Sequence, residues 1–316
     1  MIKNDITEFW KVFEKPEGFR LFTNVKSQNV SLGFDRNGYR SLFVDMPHGV
    51  YISEPKYKLE HLSFSIENGA RKQLVISLKD DSFLLLFDEF LFAIFSQIHN
   101  MVGIQDVGKK IIELYHEWSL FFTKLNKTNI NVQKTLGLAG ELYYINRYLD
   151  ISENLVDIVN SWEGPTNRTH DFIFMDYDLE VKAKLETSNT ITISSLFQLE
   201  FDKILRLGVV SFSIWDRNGG ENPTSIGNMV EIILQNLRNS GIDHYLFLNK
   251  LLQVGVNFYD REQMDEINEI KFLIHGHQEY DASHNQFPRL VPSNIPSAIK
   301  KVKYYLDLNL LDDFKI

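Results

Sequence analysis

Hydrophobic and polar residues alternate in short runs through the first 82 residues of the chain. Alternation with a period of two is typical of strands that bury one face, and turn residues such as those at 35–38 divide the runs. The pattern predicts a small antiparallel sheet or barrel without evident chemistry. The predicted strands lie at 30–34, 38–46, 62–67 and 73–78.

The pattern then changes to that of helices. Apolar residues are dense over 82–99, and over 107–125 they recur at the spacing of one helix face. The polar stretch 123–134 is typical of a connection between domains. We therefore expect a β-rich N-terminal domain over 1–125 that ends in two helices.

From residue 135 onwards, helix and strand patterns are interspersed. This order favours a mixed core of the α+β or α/β class over 135–216. The predicted elements are a helix at 135–150, strands at about 155–160, 171–175 and 179–185, a helix from Ser195 to about 206, and a strand at 207–214.

A C-terminal region is predicted over 222–316, with both helix and strand patterns. A winged-helix-like appendage is one interpretation of it, and a packing domain is the plainer one. The predicted elements are helices at 222–238 and 243–255, mixed strands, a proline-rich loop at 287–298 and a last strand at 300–308.

The segment from Asp171 to Lys182 carries the clearest candidate chemistry. Side chains alternate along a strand, so Glu180 and Lys182 point to one face while Val181 points to the other, towards a core. A turn at 176–178 would bring Asp171 beside that pair. Two carboxylates can bind a hard cation such as Mg²⁺, which activates a water, and a lysine can position that water, deprotonate it or offset negative charge.

The spacing alone leaves a second interpretation open. Acidic and basic residues two apart on a strand are usually a solvated face, and Asp178 and Lys184 share the parity of Glu180 and Lys182. Short motifs of this kind occur often by chance, so longer segments are needed to decide between the two interpretations.

Several longer segments stand in a fixed order. They are GLAGELYYINRYL (137–149), SWEGPTNRTHDFIF (161–174), LEVKAK (179–184), ISSLFQLE (193–200) and FPRLVPSNIPSAI (287–299). With them the chain resembles the PD-(D/E)XK nuclease superfamily. Within it, the chain is similar to the bacterial "PD-(D/E)XK motif protein" group, which is often encoded in phage-defence gene clusters. The resemblance covers most of the chain from residue 135.

The resemblance implies a restriction-endonuclease-like fold, a mixed sheet flanked by helices, and a DNA endonuclease that uses Mg²⁺ or Mn²⁺. It implies that Asp171, Glu180 and Lys182 are catalytic and that Asp171, Glu180 and Glu141 bind the metal. The proline of the motif's name is absent, since His170 precedes Asp171. Strand alternation directs His170 away from the metal side, which favours a packing role.

Glu141 and Gln198 are the supporting candidates. Gly140 lets its helix approach the sheet closely, so Glu141 could reach the metal edge, although the pattern equally suits an ordinary surface glutamate. Gln198 could lie near the site, but the Ser195-x-x-Gln198 spacing also fits a capping box, which we favour. Trp162 and Pro165, in the loop at 162–165, could shape the rim of the pocket, but a loop anchor is the plainer interpretation.

The formal net charge is −9, from 33 Lys and Arg against 42 Asp and Glu. A protein that holds DNA alone usually has a basic footprint. We therefore expect DNA contact through local patches, divalent metal or partners. The gene neighbourhood of the family that the chain resembles implies further defence-system proteins, including an ATPase. The chain itself lacks nucleotide-binding motifs. A catalytically silent scaffold or DNA-recognition subunit of a defence complex is the alternative function.

Two further observations bear on the setting of the protein. The chain contains no cysteine, which excludes disulfides and thiolate chemistry. The N-terminus lacks a secretory signal pattern, and the most apolar stretch is interrupted by Asp88 and Glu89. We expect a cytoplasmic protein without membrane contact. Double-strand cleavage needs two active sites, which favours a homodimer, although no residue points to an interface.

Overall fold

The computed structural model describes most of the chain and divides it into two compact units. One comprises 1–126 with 259–261, and the other 127–258 with 262–316. The described residues are 6, 8–10, 21–22, 30–47, 49, 55, 59–68, 72–101, 103–122, 131–152, 154–166, 168–216, 222–242 and 244–316.

The first unit contains an antiparallel sheet followed by two helices. The strand order is β1-β2-β3-β5-β4, which confirms the predicted antiparallel sheet. The four predicted strands and both helices are confirmed, with ends shifted by a few residues. The elements are β1 (Leu21–Phe22), β2 (Val30–Phe34), β3 (Arg40–Met46), β4 (Leu62–Asn68), β5 (Lys72–Leu78), α1 (Leu84–Ile98) and α2 (Ile104–Trp118). Most of the predicted connection at 123–134 lies outside the described residues.

The second unit is built on a four-stranded mixed sheet and a separate two-stranded ribbon. The sheet order is β10-β9-β7-β6, with β7 and β9 parallel and the other pairs antiparallel. This sheet combines strands from the predicted regions 135–216 and 222–316. The strands are β6 (Phe172–Ile173), β7 (Tyr177–Leu185), β8 (Thr190–Ile193), β9 (Ile204–Ile214), β10 (Phe272–Asp281) and β11 (Tyr304–Asp307), of which β8 and β11 form the ribbon.

Helices accompany this sheet, as the α+β prediction requires, and the predicted fold class is confirmed. They are α3 (Val132–Ile151), α4 (Leu155–Ser161), α5 (Ile226–Asn239), α6 (Tyr245–Gln253) and α7 (Arg261–Asn268). Among the described residues, no helix combines the length and hydrophobicity that a membrane crossing requires.

Two predicted elements are wrong. The segment 155–160 is helix α4 rather than a strand: Asn154 accepts a hydrogen bond from the Asp157 amide, and the adjacent Ile158 and Val159 are both buried. Two adjacent apolar residues are compatible with a strand or a helix, and the cap at Asn154 identifies this segment as a helix. The segment 195–206 is a single turn that leads into β9, not a helix. The sequence also missed β8 and α7, and it overestimated the strands at 171–175 and 300–308.

Helix α3 lies very close to the centre of the mixed sheet. A Cβ added at Gly140 would lie 3.2 Å from Val181 Cγ1, which agrees with the predicted close approach at this glycine. Four residues along the helix, the Tyr144 ring covers Gly208, the partner of Val181 in the β7–β9 register. The helix is thereby fixed on these two strands, and Glu141, next to Gly140, is carried to the same part of the sheet.

Gly208→Ala is expected to lower the free energy of unfolding by about 1–3 kcal/mol, because the new methyl group would overlap the fully buried Tyr144 ring. Chemical denaturation measures this. Gly137→Ala is the matched control: it adds the same methyl group in α3 where no atom lies within 4 Å, and it should leave stability unchanged or raise it by up to about 1 kcal/mol. Equal stability of the two variants would contradict the proposed close packing.

Candidate active site

Strand β7 presents Glu180 and Lys182 on one face. The Lys182 Nζ donates to Glu180 Oε1 at 2.5 Å, and Val181 points to the opposite face, against Gly140. Glu180 is only 2% exposed, and the Lys182 side chain is 16% exposed. The alternation predicted from the sequence is therefore present, and the burial of both side chains excludes a solvated strand face at this position.

Asp171 is held beside this pair by the backbone of β7. Strand β6 is short, and its pairing with β7 at this end stops at Phe172 and Leu179. Beyond that point the Val181 amide donates to the Asp171 carboxylate, at 2.8 Å from Oδ2. The side chain of Asp171 thus replaces the backbone acceptor that a longer strand would have supplied, and it stands next to Glu180 in the sheet.

Glu141 reaches the same place from helix α3. Its Oε2 accepts a hydrogen bond from the indole Nε1 of the fully buried Trp162, at 2.7 Å. Gly164 lies against the same carboxylate, and a Cβ at this position would overlap Glu141 Oε2. The loop that follows α4 therefore holds Glu141 through one donor and makes room for it through one glycine.

The four charged groups strongly perturb one another. Burial, reinforced by the charge of Asp171, raises the pKa of Glu180 to about 8, and Lys182 opposes this shift. Burial and then Asp171 raise the pKa of Glu141 well above its ordinary range, and burial also raises the pKa of Asp171. Burial acts to lower the pKa of Lys182, but the charges of Glu180 and Asp171 outweigh it and raise that pKa. Lys182 therefore stays an ammonium, and it faces three carboxyl groups, those of Glu141, Asp171 and Glu180.

Crowded carboxylates of this kind have the donor chemistry of a site for a hard divalent cation. All the oxygen donors are carboxylates, which Mg²⁺ and Mn²⁺ prefer, and a cation would relieve the repulsion between Asp171 and its neighbours. Within the described part of the chain, no group of three or more His, Asp or Glu side chains is arranged to hold a metal as it stands. One oxygen of Glu180 accepts a hydrogen bond from Lys182, and one oxygen of Glu141 accepts one from Trp162.

Gln198 makes a local contact. Its Oε1 accepts from the Ser194 amide at 2.8 Å, and Ser195 Oγ accepts from the Phe197 amide at 3.2 Å. These bonds close the turn before β9. The predicted capping box is wrong, because no helix follows and the two side chains bind the amides of Ser194 and Phe197 instead of each other's.

His170 and Asp178 form a separate buried pair. The His170 Nδ1 lies 3.1 Å from Asp178 Oδ2, and Lys203 Nζ lies 2.9 Å from the other carboxylate oxygen of Asp178. His170 is thus buried in a polar contact with Asp178. Asp178 is two positions from Glu180 on the same strand, but it is bound by these two partners. Alternation along the strand therefore does not by itself identify the residues of the site.

Sequence reasoning placed Trp162 at the rim of the pocket or in a loop anchor, but it missed the contacts of Trp162 and Gly164 with Glu141. Both lie in the segment 161–174 that carried the family resemblance, and that is the signal that could have indicated them. Their specific contacts join residues 21 or more positions apart, such as Trp162 with Glu141. Such contacts depend on how α3 and α4 are packed, which local patterns do not encode.

Metal-free protein should lose stability as the pH rises from about 4.5, the ordinary value of glutamate, to about 8, the pKa of Glu180 in the folded state. In this window the unfolded chain releases the proton while the folded chain retains it, so ionisation favours unfolding. Thermal denaturation in EDTA between pH 5 and 9 measures the slope.

Glu180→Gln removes the titrating group and keeps the shape of the side chain, so its stability should vary less over the same pH range. Parallel pH profiles for the wild type and Glu180→Gln would contradict the raised pKa of this carboxyl group.

Comparison with known proteins identifies a family for the chain. A family model described as "Putative PD-(D/E)XK family member, (DUF4420)" matches residues 6–309, a range that includes all four charged residues of the site. No curated protein and no solved structure matches the chain. The family match agrees with the resemblance found in the sequence and indicates a nuclease-type function. Because it spans nearly the whole chain, the protein belongs to this family of the PD-(D/E)XK nuclease superfamily.

Proposed function

We propose that the protein is a metal-dependent DNA endonuclease whose catalytic residues are Asp171, Glu180 and Lys182, supported by Glu141. The observation that carries the proposal is the buried contact of Lys182 with Glu180 on β7, beside an Asp171 that the Val181 amide holds. Burying one ammonium among several carboxylates costs folding free energy, so it is a poor device for stability alone. In a member of a nuclease superfamily, a catalytic role is the better explanation.

Three of these residues would hold the metal ion: Asp171, Glu180 and Glu141. When bound, Mg²⁺ or Mn²⁺ supplies an acidified water and charge stabilisation for phosphodiester hydrolysis. The raised pKa of Lys182 keeps its side chain an ammonium, so it can orient a water by donating a hydrogen bond and can offset negative charge on the scissile phosphate.

Plasmid cleavage with Mg²⁺ or Mn²⁺ tests the proposal. Lys182→Met should lower the cleavage rate by about 100-fold or more, because it removes the charge opposite the developing phosphate charge. Asp171→Asn should have a comparable effect through lost metal affinity, and EDTA should abolish cleavage by the wild type.

Lys184→Met is the matched control. Lys184 lies on the same strand at the same parity, but its Nζ donates to the carbonyl of Ser188 at 2.9 Å and to that of Leu185. This variant should cleave at the wild-type rate. Equal rates for Lys182→Met and Lys184→Met, or no metal-dependent cleavage by the wild type even with its partner proteins present, would refute the nuclease proposal.

Two observations favour a second candidate, a catalytically silent scaffold or DNA-recognition subunit. The net charge is −9, and within the described residues no three His, Asp or Glu side chains are grouped in a way that could hold a metal ion. The setting in a bacterial defence or restriction-type system rests on the sequence resemblance. Partner proteins such as an ATPase, a homodimer and a cytoplasmic location stay predictions.

Phage plating on cells that carry the complete gene cluster separates the two candidates. If catalysis is needed, the Lys182→Met strain loses protection while the Lys184→Met strain keeps it. If the protein is a silent scaffold, both strains stay protected, provided that immunoblotting finds the two variants at equal levels.

A further inference from the structure

Lys250 is a buried lysine outside the four charged residues of the site. It lies on helix α6 and is 6% exposed. Its Nζ donates to the carbonyl oxygens of Val159 and Asn160, at 3.1 and 2.9 Å, and to that of Trp162. All three ammonium hydrogens can thus have backbone acceptors, and these acceptors belong to one short stretch of chain.

These acceptors lie at the C-terminal end of helix α4. The last carbonyl groups of a helix lack partners within the helix and carry the negative end of its dipole, so a cation there is favourable. Burial lowers the pKa of Lys250, and the charge of Glu163, 4.0 Å away, opposes that shift. An apolar side chain at this position would avoid the cost of burying a charge, but it would leave three carbonyl oxygens without this donor.

The stretch that Lys250 binds leads directly into residues 162–164, here called the acid-holding loop. Trp162 donates its indole hydrogen to Glu141, and the amides of Glu163 and Gly164 donate to the Asp171 carbonyl at 2.7 and 3.1 Å. Three consecutive residues therefore contact both acids that flank β7. On helix α6, Phe247 also packs against Trp162, with ring centroids 5.8 Å apart.

We propose that Lys250 is a positioning residue of the active site. By binding the carbonyl groups at the end of α4, it fixes the acid-holding loop, and through the loop it fixes Glu141 and Asp171. Its effect on catalysis rests on the proposed nuclease function, whereas its effect on the position of Trp162 does not. The hydrogen bonds of Lys250 go to the backbone at 159–162 and not to Glu141 or Asp171, so it acts through the loop.

The experiment compares Lys250→Met and Lys250→Arg in the full chain. The first readout is the indole N–H resonance of Trp162 in metal-free protein, assigned by its loss in Trp162→Phe, together with its hydrogen-exchange rate. The second is the affinity of the free protein for Mn²⁺, measured by titration. The third is kcat and KM for plasmid cleavage.

Lys250→Met should shift the Trp162 indole resonance and speed its exchange by about 10-fold or more, because the loop loses three hydrogen bonds. Affinity for Mn²⁺ should fall by up to about 10-fold, at the low end of the loss that follows removal of a ligand's direct partner, because Trp162 is displaced and not removed. For cleavage, kcat should fall while KM for DNA stays constant. Lys250→Arg retains the charge and the donors, so it should restore part of each readout.

Lys79→Met is the matched control. Lys79 also donates to a backbone carbonyl, that of Leu59 at 2.8 Å, but in the other unit of the chain. It should leave all three readouts unchanged. If Lys250→Met fails to fold, Lys250→Gln replaces it, because glutamine keeps N–H donors for some of the carbonyl groups and should give intermediate values.

A Lys250 variant with a lower melting temperature but wild-type indole exchange and Mn²⁺ affinity would overturn the proposal, because Lys250 would then only stabilise the end of α4. If the wild type neither cleaves DNA nor binds Mn²⁺, the nuclease proposal fails. In that case the indole exchange alone decides the claim for Lys250: faster exchange in Lys250→Met supports it, and an unchanged rate overturns it.

Discussion

The close packing of helix α3 on strands β7 and β9 is the constraint on which the site depends. Gly140 brings the helix backbone to Val181, and the missing side chain of Gly208 leaves room for the Tyr144 ring one strand further on. Glu141 follows Gly140 and is therefore carried to the edge of β7 where the other acids lie. A bulkier contact would move the helix outward, and Glu141 would no longer share the environment of Glu180.

This packing has an electrostatic consequence. It buries three carboxylates near one ammonium, and each carboxylate is held by a donor of a different kind. Lys182 donates to Glu180, a backbone amide donates to Asp171, and the Trp162 indole donates to Glu141. Burial raises the pKa values of all three acids, and the single lysine does not offset that effect. An apolar cluster would fold more stably, which is why the excess of acids points to function.

The sequence predicted the parts of this site that local geometry determines. The shared face of Glu180 and Lys182 follows from strand alternation, which holds wherever β7 forms. The strand predicted at 155–160 was wrong because the apolar residues Ile158 and Val159 are compatible with both a strand and a helix. Only the cap at Asn154 identifies the segment as a helix. The contact of Lys250 with Trp162 could not be predicted, since it joins residues 88 positions apart through the packing of α6.

One part of the site depends on contacts within a single strand, and the other depends on contacts between distant segments. The pair of Glu180 and Lys182 is built within one strand, so it persists in any state that retains β7. The place of Glu141 requires α3, the loop after α4 and helix α6 together, because Trp162 is held from both sides. A disturbance far from the sheet would therefore displace Glu141 before it affects the pair of Glu180 and Lys182. Glu141 would then leave the other two acids while Lys182 keeps its position beside Glu180.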